Sequence, residues 1–384
     1  MTNGNDPTPP NSKAGDATPC NSSIQSCPYA KSLKGMVTEV NWTSGISVSY
    51  AKKTVNPPHW KLGDNVHDGA GSNRPGVYLI KGKGVDTLMV KVQITENQNV
   101  SGTGTLTGQL GNLAMQGQCP TSIGEHSVNV KIKELPDSVQ WYQGDVSWGL
   151  EVADLSSTIT LDNASRLEVF VILDKPAAYY EPPGVWTEVL RFLCDKVGVV
   201  GVKTGAESGS KIAQYCHSSH SLSYDTMRGA PKFGVSNSGG TFMLDNYINK
   251  ITSVVNCYDQ AAGVQSLSGA LGIALDWYYL NPYGYINTTN LVGVGSCNNP
   301  FYKSNGTTPV IDINDPKRTG FGNHAFDGLA GNVFDSCAGP HLGTETTAQY
   351  VTAAIDTTTT KYTGGFKPGK HTDIQTLGGV SKVV

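Results

Sequence analysis

The chain has 384 residues, more than one ordinary hydrophobic core accommodates, so two globular units with a flexible extension are expected. Its 28 Lys and Arg stand against 31 Asp and Glu with no long block of one sign, which excludes the electrostatic footprint of a nucleic-acid-binding or anionic-lipid-binding protein. The 45 glycines, with abundant Ser, Thr and Asn, point to many turns and short strands, and no stretch approaches the roughly 18 apolar residues that a membrane-spanning helix needs.

Residues 1 to 30 are rich in Asn, Pro, Ser, Thr and Gly and read as a flexible arm. The start, Met1-Thr2-Asn3-Gly4-Asn5-Asp6-Pro7, has no basic cluster followed by an apolar core; no classical signal peptide is expected, leaving a cytoplasmic location or a specialised export route. Within the arm, Cys20 and Cys27 are the closest local pair, as a bridge or as two free thiols. From Met36 the pattern changes to alternating or short β-branched runs: Met36-Val37-Thr38-Glu39-Val40, Ile46-Ser47-Val48-Ser49-Tyr50, Leu88-Met89-Val90-Lys91-Val92, Val128-Asn129-Val130-Lys131-Ile132 and Leu167-Glu168-Val169-Phe170-Val171. Asn56-Pro57-Pro58 and the glycine-rich stretches 69–76 and 102–117 read as separators. An antiparallel β-sandwich over residues 31–178 follows, with Trp141 and Trp148 filling or capping its core. His59, His67 and His126 lack ligand spacing, so this half reads as a binding or positioning module.

Lys175-Pro176 to Pro183-Gly184 is the clearest seam, and it places a second domain over residues 184–384. Trp186, Val189, Leu190, Leu193, Cys194 and Val197 recur at helical spacing up to Gly198, and a second helix fits residues 210–218. Gly205-Ala206-Glu207-Ser208-Gly209-Ser210-Lys211 has the wrong order for a phosphate loop. Cys216-His217-Ser218-Ser219-His220 lacks a second cluster to complete a zinc site, so neither metal nor cofactor is expected.

Cys257 lies where an extended run, Val254-Val255-Asn256, turns into a helical pattern through Ala261, Val264, Leu267 and Leu271, with Gly272 as the stop. At a helix start, unpaired N–H groups and the positive end of the helix dipole favour thiolate over thiol, as a nucleophile requires. A cysteine on an apolar helix face is also a common small core residue, so the site depends on partners. Those are found in Phe321-Gly322-Asn323-His324-Ala325-Phe326-Asp327-Gly328-Leu329-Ala330-Gly331-Asn332-Val333-Phe334-Asp335, a hairpin pattern. With Gly328 and Gly331 bounding a symmetric turn, His324 lies directly across from Asp335, with about 4.5–5.5 Å between Cβ atoms. Cys257, His324 and Asp335 then form a nucleophile, base and orienter set.

Cys257-Tyr258-Asp259-Gln260-Ala261, Leu271-Gly272-Ile273, His324-Ala325-Phe326 and Val333-Phe334-Asp335 together resemble the core of the transglutaminase-like cysteine superfamily, a branch of the papain-like fold, over residues 185–360. The resemblance implies an α+β domain with the cysteine helix packed on an antiparallel sheet. Cys257 would be the nucleophile, His324 the general base and acid, and Asp335 the orienting carboxylate. Phe326 stands where many members have tryptophan, and residues 281–317 form a long insertion. The family includes amide hydrolases, deamidases, proteases, transamidating enzymes and members without activity, and similar domains occur in bacterial toxins delivered by specialised secretion. The expected partner is a protein or peptide-like amide substrate, with secretion machinery or an inhibitor protein as further candidates and no nucleic acid or membrane span. The backbone N–H of Cys257 would be one oxyanion donor, with Asn256, Tyr247 and Gln260 unranked for the second. Cys297 and Cys337 are expected to flank the site, Cys337 on the face of Asp335, where a disulfide could influence the triad.

Overall fold

A computed structural model describes residues 31–64, 74–281, 285–301, 320–356 and 373–384. The alternating runs of the first half become the strands β1 (Ser32–Asn41), β2 (Trp60–Lys61), β3 (Gly76–Leu79), β4 (Thr87–Gln98), β5 (Thr103–Leu110), β6 (Leu113–Pro120), β7 (Gly124–Ile132), β8 (Gln140–Val146), β9 (Trp148–Glu151), β10 (Ile159–Thr160) and β11 (Ser165–Ile172). They build an antiparallel sheet of order β10-β9-β5-β6-β7-β4-β1-β2, faced by a three-stranded sheet of order β8-β11-β3. Strict inward alternation of Leu88, Val90, Val92 and Ile94 on β4 with Val128, Val130 and Ile132 on β7 makes the interior between them.

The run over 102–117 is a hairpin, not a separator. Gly104, Gly108 and Gly117 lie where other groups press on the strand: a Cβ on Gly108 would meet the Trp148 ring at 2.6 Å. Gly108→Val is therefore expected to lower unfolding stability by about 1–3 kcal/mol, read as a reduced urea midpoint with an unchanged slope.

Strand β11 explains its almost uninterrupted apolar run by burial on both faces. Leu167, Val169 and Val171 face the sandwich interior, while Phe170 and Ile172 join a second core with Trp186, Val189, Leu190 and Leu193. Of the two expected core tryptophans, Trp148 is inside the sandwich. Trp141 instead stacks on Phe170 at 5.8 Å, on the side of the second core. Buried Glu168 ties the two halves, accepting from Trp141 Nε1 at 2.9 Å and from Arg191 in a two-pronged pair at 2.9 and 2.5 Å.

The seam is firmly docked. The hydroxyls of Tyr179 and Tyr180 donate to the carbonyls of Gln265 and Ser266 at 2.7 and 2.9 Å, and the backbone N–H groups of Asp174 and Ala177 reach Leu271 O and Gly269 O. The Ala177 bond reaches a carbonyl in the last turn of the cysteine helix, where intrahelical partners run out, and the two tyrosines add second acceptor bonds one turn earlier.

Beyond the seam come α1 (Thr187–Phe192), α2 (Gly205–Ser218), the short β12 (Ser223–Tyr224) and β13 (Val254–Val255), and α3 (Cys257–Ala270). The rejected phosphate-loop string is the opening of α2, where Thr204 and Glu207 form a reciprocal cap. His217 and His220 each hold a backbone carbonyl, of Asn290 and Tyr247, at 3.0 and 2.8 Å. Five strands then form an antiparallel platform of order β17 (His341–Thr346), β16 (Asn332–Asp335), β15 (His324–Leu329), β14 (Asp276–Leu280) and β18 (Gln375–Leu377), with α4 (Thr347–Ala354) following β17. The molecule is α+β with largely antiparallel sheets.

Near the end of the chain, residues 375–377 pair with β14, and Val380 and Val383 are buried. Cys20, Cys27 and His67 lie outside the described residues, as does most of the 281–317 insertion. Among the described residues no helix is long and apolar enough to cross a membrane.

Candidate active site

Helix α3 is central rather than amphipathic: every residue except Tyr258 is buried. Its small residues permit this. Gly263 lies under the Tyr247 ring, where an added Cβ would stand 2.7 Å away. Its buried amides are saturated, with Gln260 Nε2 donating to Cys216 O and Ser336 O at 3.2 and 3.0 Å, and Gln265 bridging Leu275 O and Val380 N.

Asn256 caps the helix, its Oδ1 accepting from Asp259 N at 3.0 Å while Asp259 Oδ2 accepts from Asn256 N at 3.1 Å. The Asp259 carboxylate also receives the N–H groups of Lys232 and Phe233, binding the loop before the cysteine to its helix. Cys257 is the first helical residue, 3% exposed, and its backbone N–H has no hydrogen-bond partner among the described residues.

His324 begins β15 and Asp335 ends β16. Their strands pair Asp327 with Phe334, Gly328 with Val333 and Leu329 with Asn332, so the turn is the two residues Ala330 and Gly331, at φ 51° and 83°. This is the primed turn that suits the twist of a hairpin. The register therefore differs by two residues from the expected one: continued outward, it sets Asp335 opposite Phe326 and leaves His324 diagonal to it. A shift of two preserves the face, and a diagonal pair about 7–8 Å apart at the backbone is within reach of long side chains. Accordingly His324 Nε2 lies 2.7 Å from Asp335 Oδ2.

Asp335 has four hydrogen-bonding partners. Its Oδ1 accepts the N–H groups of Cys337 and Ala338 at 2.7 and 3.2 Å, and its Oδ2 also accepts the Tyr350 hydroxyl at 2.8 Å. Burial opposes the charge, but His324 and these donors hold the carboxyl well below the usual carboxylate range. Burial likewise opposes the imidazolium, yet the charge and hydrogen bond of Asp335, with a smaller contribution from the neighbouring Cys257 side chain, outweigh it and lift His324 to about 10. With Nε2 engaged by Asp335, Nδ1 is the nitrogen left for the thiol.

The three second-donor candidates are otherwise committed. Tyr247 donates to Gln260 Oε1 at 2.6 Å, Gln260 holds two carbonyls, and Asn256 Nδ2 donates to Gly229 O at 3.0 Å. Cys297 and Cys337 are buried and free, and Cys337 touches Asp335 through its backbone rather than through sulfur. Tyr350 is not among the candidates named from the sequence: it lies on α4, where the apolar spacing of Ala348, Val351 and Ile355 marks a helix but no partner for a distant carboxylate.

No protein-family model matches the chain, and a search of curated proteins finds no match. Among solved structures the chain is similar to a transglutaminase of red sea bream, at 10% identity and a TM-score of 0.39. That similarity covers 73% of this chain, which spans 55% of the transglutaminase chain.

Proposed function

We propose that the protein is a thiol-dependent acyl-transfer enzyme in which Cys257 is the nucleophile, His324 the general base and acid, and Asp335 the orienting carboxylate. The observation that carries this reading is the buried His324–Asp335 pair at 2.7 Å, with the Nδ1 side of the ring beside Cys257 at the start of its helix. The transglutaminase-like motifs of the sequence agree with it. The sandwich of residues 31–178 serves as the binding or positioning module, and the acyl group comes from a protein or peptide-like amide.

In the reaction, the Cys257 sulfur adds to the amide carbonyl, whose π electrons move to oxygen. The Cys257 backbone N–H stabilises that oxygen. His324 gives its proton to the leaving nitrogen, the C–N bond breaks, and a thioester remains. Water then adds to the thioester with His324 as base, regenerating the thiol and releasing a carboxylic acid; water is the default acceptor, and an amine in its place would give transamidation.

Iodoacetamide is expected to label Cys257 rapidly near neutral pH, and His324→Ala to slow that labelling at least tenfold. A glutamine-containing protein followed in parallel for ammonia release, amine incorporation and chain cleavage assigns the reaction. Slow labelling that ignores the state of His324 would instead mark an inert scaffold with a structural cysteine.

A further inference from the structure

Tyr224 is the group that the relay leaves unused. Strand β12 runs parallel to β13 with Tyr224 beside Val255, two residues before the nucleophile. The Tyr224 N–H is held by Val292 O at 2.9 Å, and the next N–H, of Asp225, by Val255 O at 2.7 Å, so its backbone is tied directly to the approach to Cys257. The ring packs against Phe301 and Phe321, each at 6.2 Å, and Phe321 in turn lies edge-on to the His324 imidazole at 5.4 Å. Tyr224 and His324 thus share one aromatic wall.

The hydroxyl lies over Gly229, where an added Cβ would come within 3.0 Å of it. Gly229 is itself bound to the helix cap through Asn256 Nδ2. Although the residue is only 3% exposed, its hydroxyl makes no hydrogen bond among the described residues and is not one of their fully enclosed unpartnered atoms, so it keeps an opening. A buried tyrosine ordinarily finds a partner for its O–H, so an uncommitted one beside a nucleophile invites a ligand oxygen.

We infer that the Tyr224 hydroxyl is the second oxyanion donor, closing on the carbonyl oxygen of the substrate together with the backbone N–H of Cys257. Burial, reinforced by the neighbouring Cys257, raises the phenol well above its usual range, so the group stays a neutral donor across the working pH. As sulfur adds to the carbonyl carbon, the oxygen gains the π pair and accepts two hydrogen bonds, and both are relinquished when the C–N bond breaks and the carbonyl re-forms. No proton leaves Tyr224.

This inference rests on Cys257 acting by acyl transfer, and two probes separate the claims. Acylation by p-nitrophenyl acetate passes through an oxyanion, whereas alkylation by iodoacetamide at a saturated carbon does not. In Tyr224→Phe the acylation burst is expected to slow about 100-fold, the usual cost of losing one such donor, while alkylation of Cys257 stays within twofold of the wild type. Unchanged alkylation also certifies that the variant folds around its site. Equal acylation in both proteins, or an equal fall in acylation and alkylation, overturns the role of Tyr224 and leaves the relay standing. A wild-type protein that alkylates but never acylates overturns the acyl-transfer reading and this inference with it.

Discussion

Asp335→Asn is expected to slow iodoacetamide labelling of Cys257 at pH 7 by about 100-fold or more, within the range for removing one member of an acid–base set. The amide keeps the shape of the carboxylate, so the Cys337 and Ala338 N–H groups still find an acceptor at the position of Oδ1. What disappears is the negative charge that outweighs the burial of His324. Without it, burial acts on the ring against the Cys257 side chain alone, and the ring is expected to be neutral at pH 7 and to offer the sulfur no positive partner.

Stability responds to the same change with a defined sign. In the wild type, the raised pKa of His324 contributes stability that is complete below about 6.5 and is lost as pH rises through about 10. The depressed pKa of Asp335 contributes stability present above about 4 and lost on acidification. Both slopes are expected to flatten in Asp335→Asn, measured as urea midpoints from pH 3 to pH 10. A variant whose labelling rate and pH slopes match the wild type would show that the carboxylate does not govern His324.

Much of this architecture is legible because the signals are local. Alternation in β4 and β7 follows from one face touching the core and one touching water, and the double burial of β11 leaves an unbroken apolar run. The helix start at Cys257 is marked by the change of period, and Asn256 with Asp259 adds a capping pair that the sequence displays. The hidden parts depend on distant partners. Gly104, Gly108 and Gly117 look like loop residues until Val152, Trp148 and the β7 backbone are set against them. Gly328 reads as a turn residue, yet it lies within β15, where a Cβ would clash with Tyr278 at 2.2 Å. The turn falls one residue later than a symmetric Gly328–Gly331 loop would put it, which moves the register by two. The face shared by His324 and Asp335 survives that shift because strands repeat every two residues. The support from Tyr350 and the vacant hydrogen-bonding capacity of Tyr224 are properties of packing, for which no sequence spacing is diagnostic.

The strand of the proposed base carries a second buried acid, and replacing it is expected to stabilise the protein. Asp327 is fully buried on β15, and neither carboxyl oxygen has a hydrogen-bond partner among the described residues. Burial, then the charges of Asp335 and Asp276, push its pKa well above the carboxylate range. Two acids near one sheet are thereby driven apart: Asp335, served by four donors, stays ionised, and Asp327, served by none, keeps its proton. A raised folded-state pKa means that the stability contribution is full below about 4, the unfolded value, and declines as pH climbs, because only the unfolded chain can release the proton cheaply. Asp327→Asn removes the titration while keeping the size of the side chain. Its urea midpoint is expected to exceed that of the wild type at pH 8, corresponding to about 1–3 kcal/mol, and to converge with it near pH 4. Since the substituted amide would carry no charge to compete with the His324–Asp335 pair, labelling of Cys257 at pH 7 should remain within a few-fold of the wild type. A variant destabilised equally at both pH values would show that Asp327 has an ionic partner in the fold and is charged there.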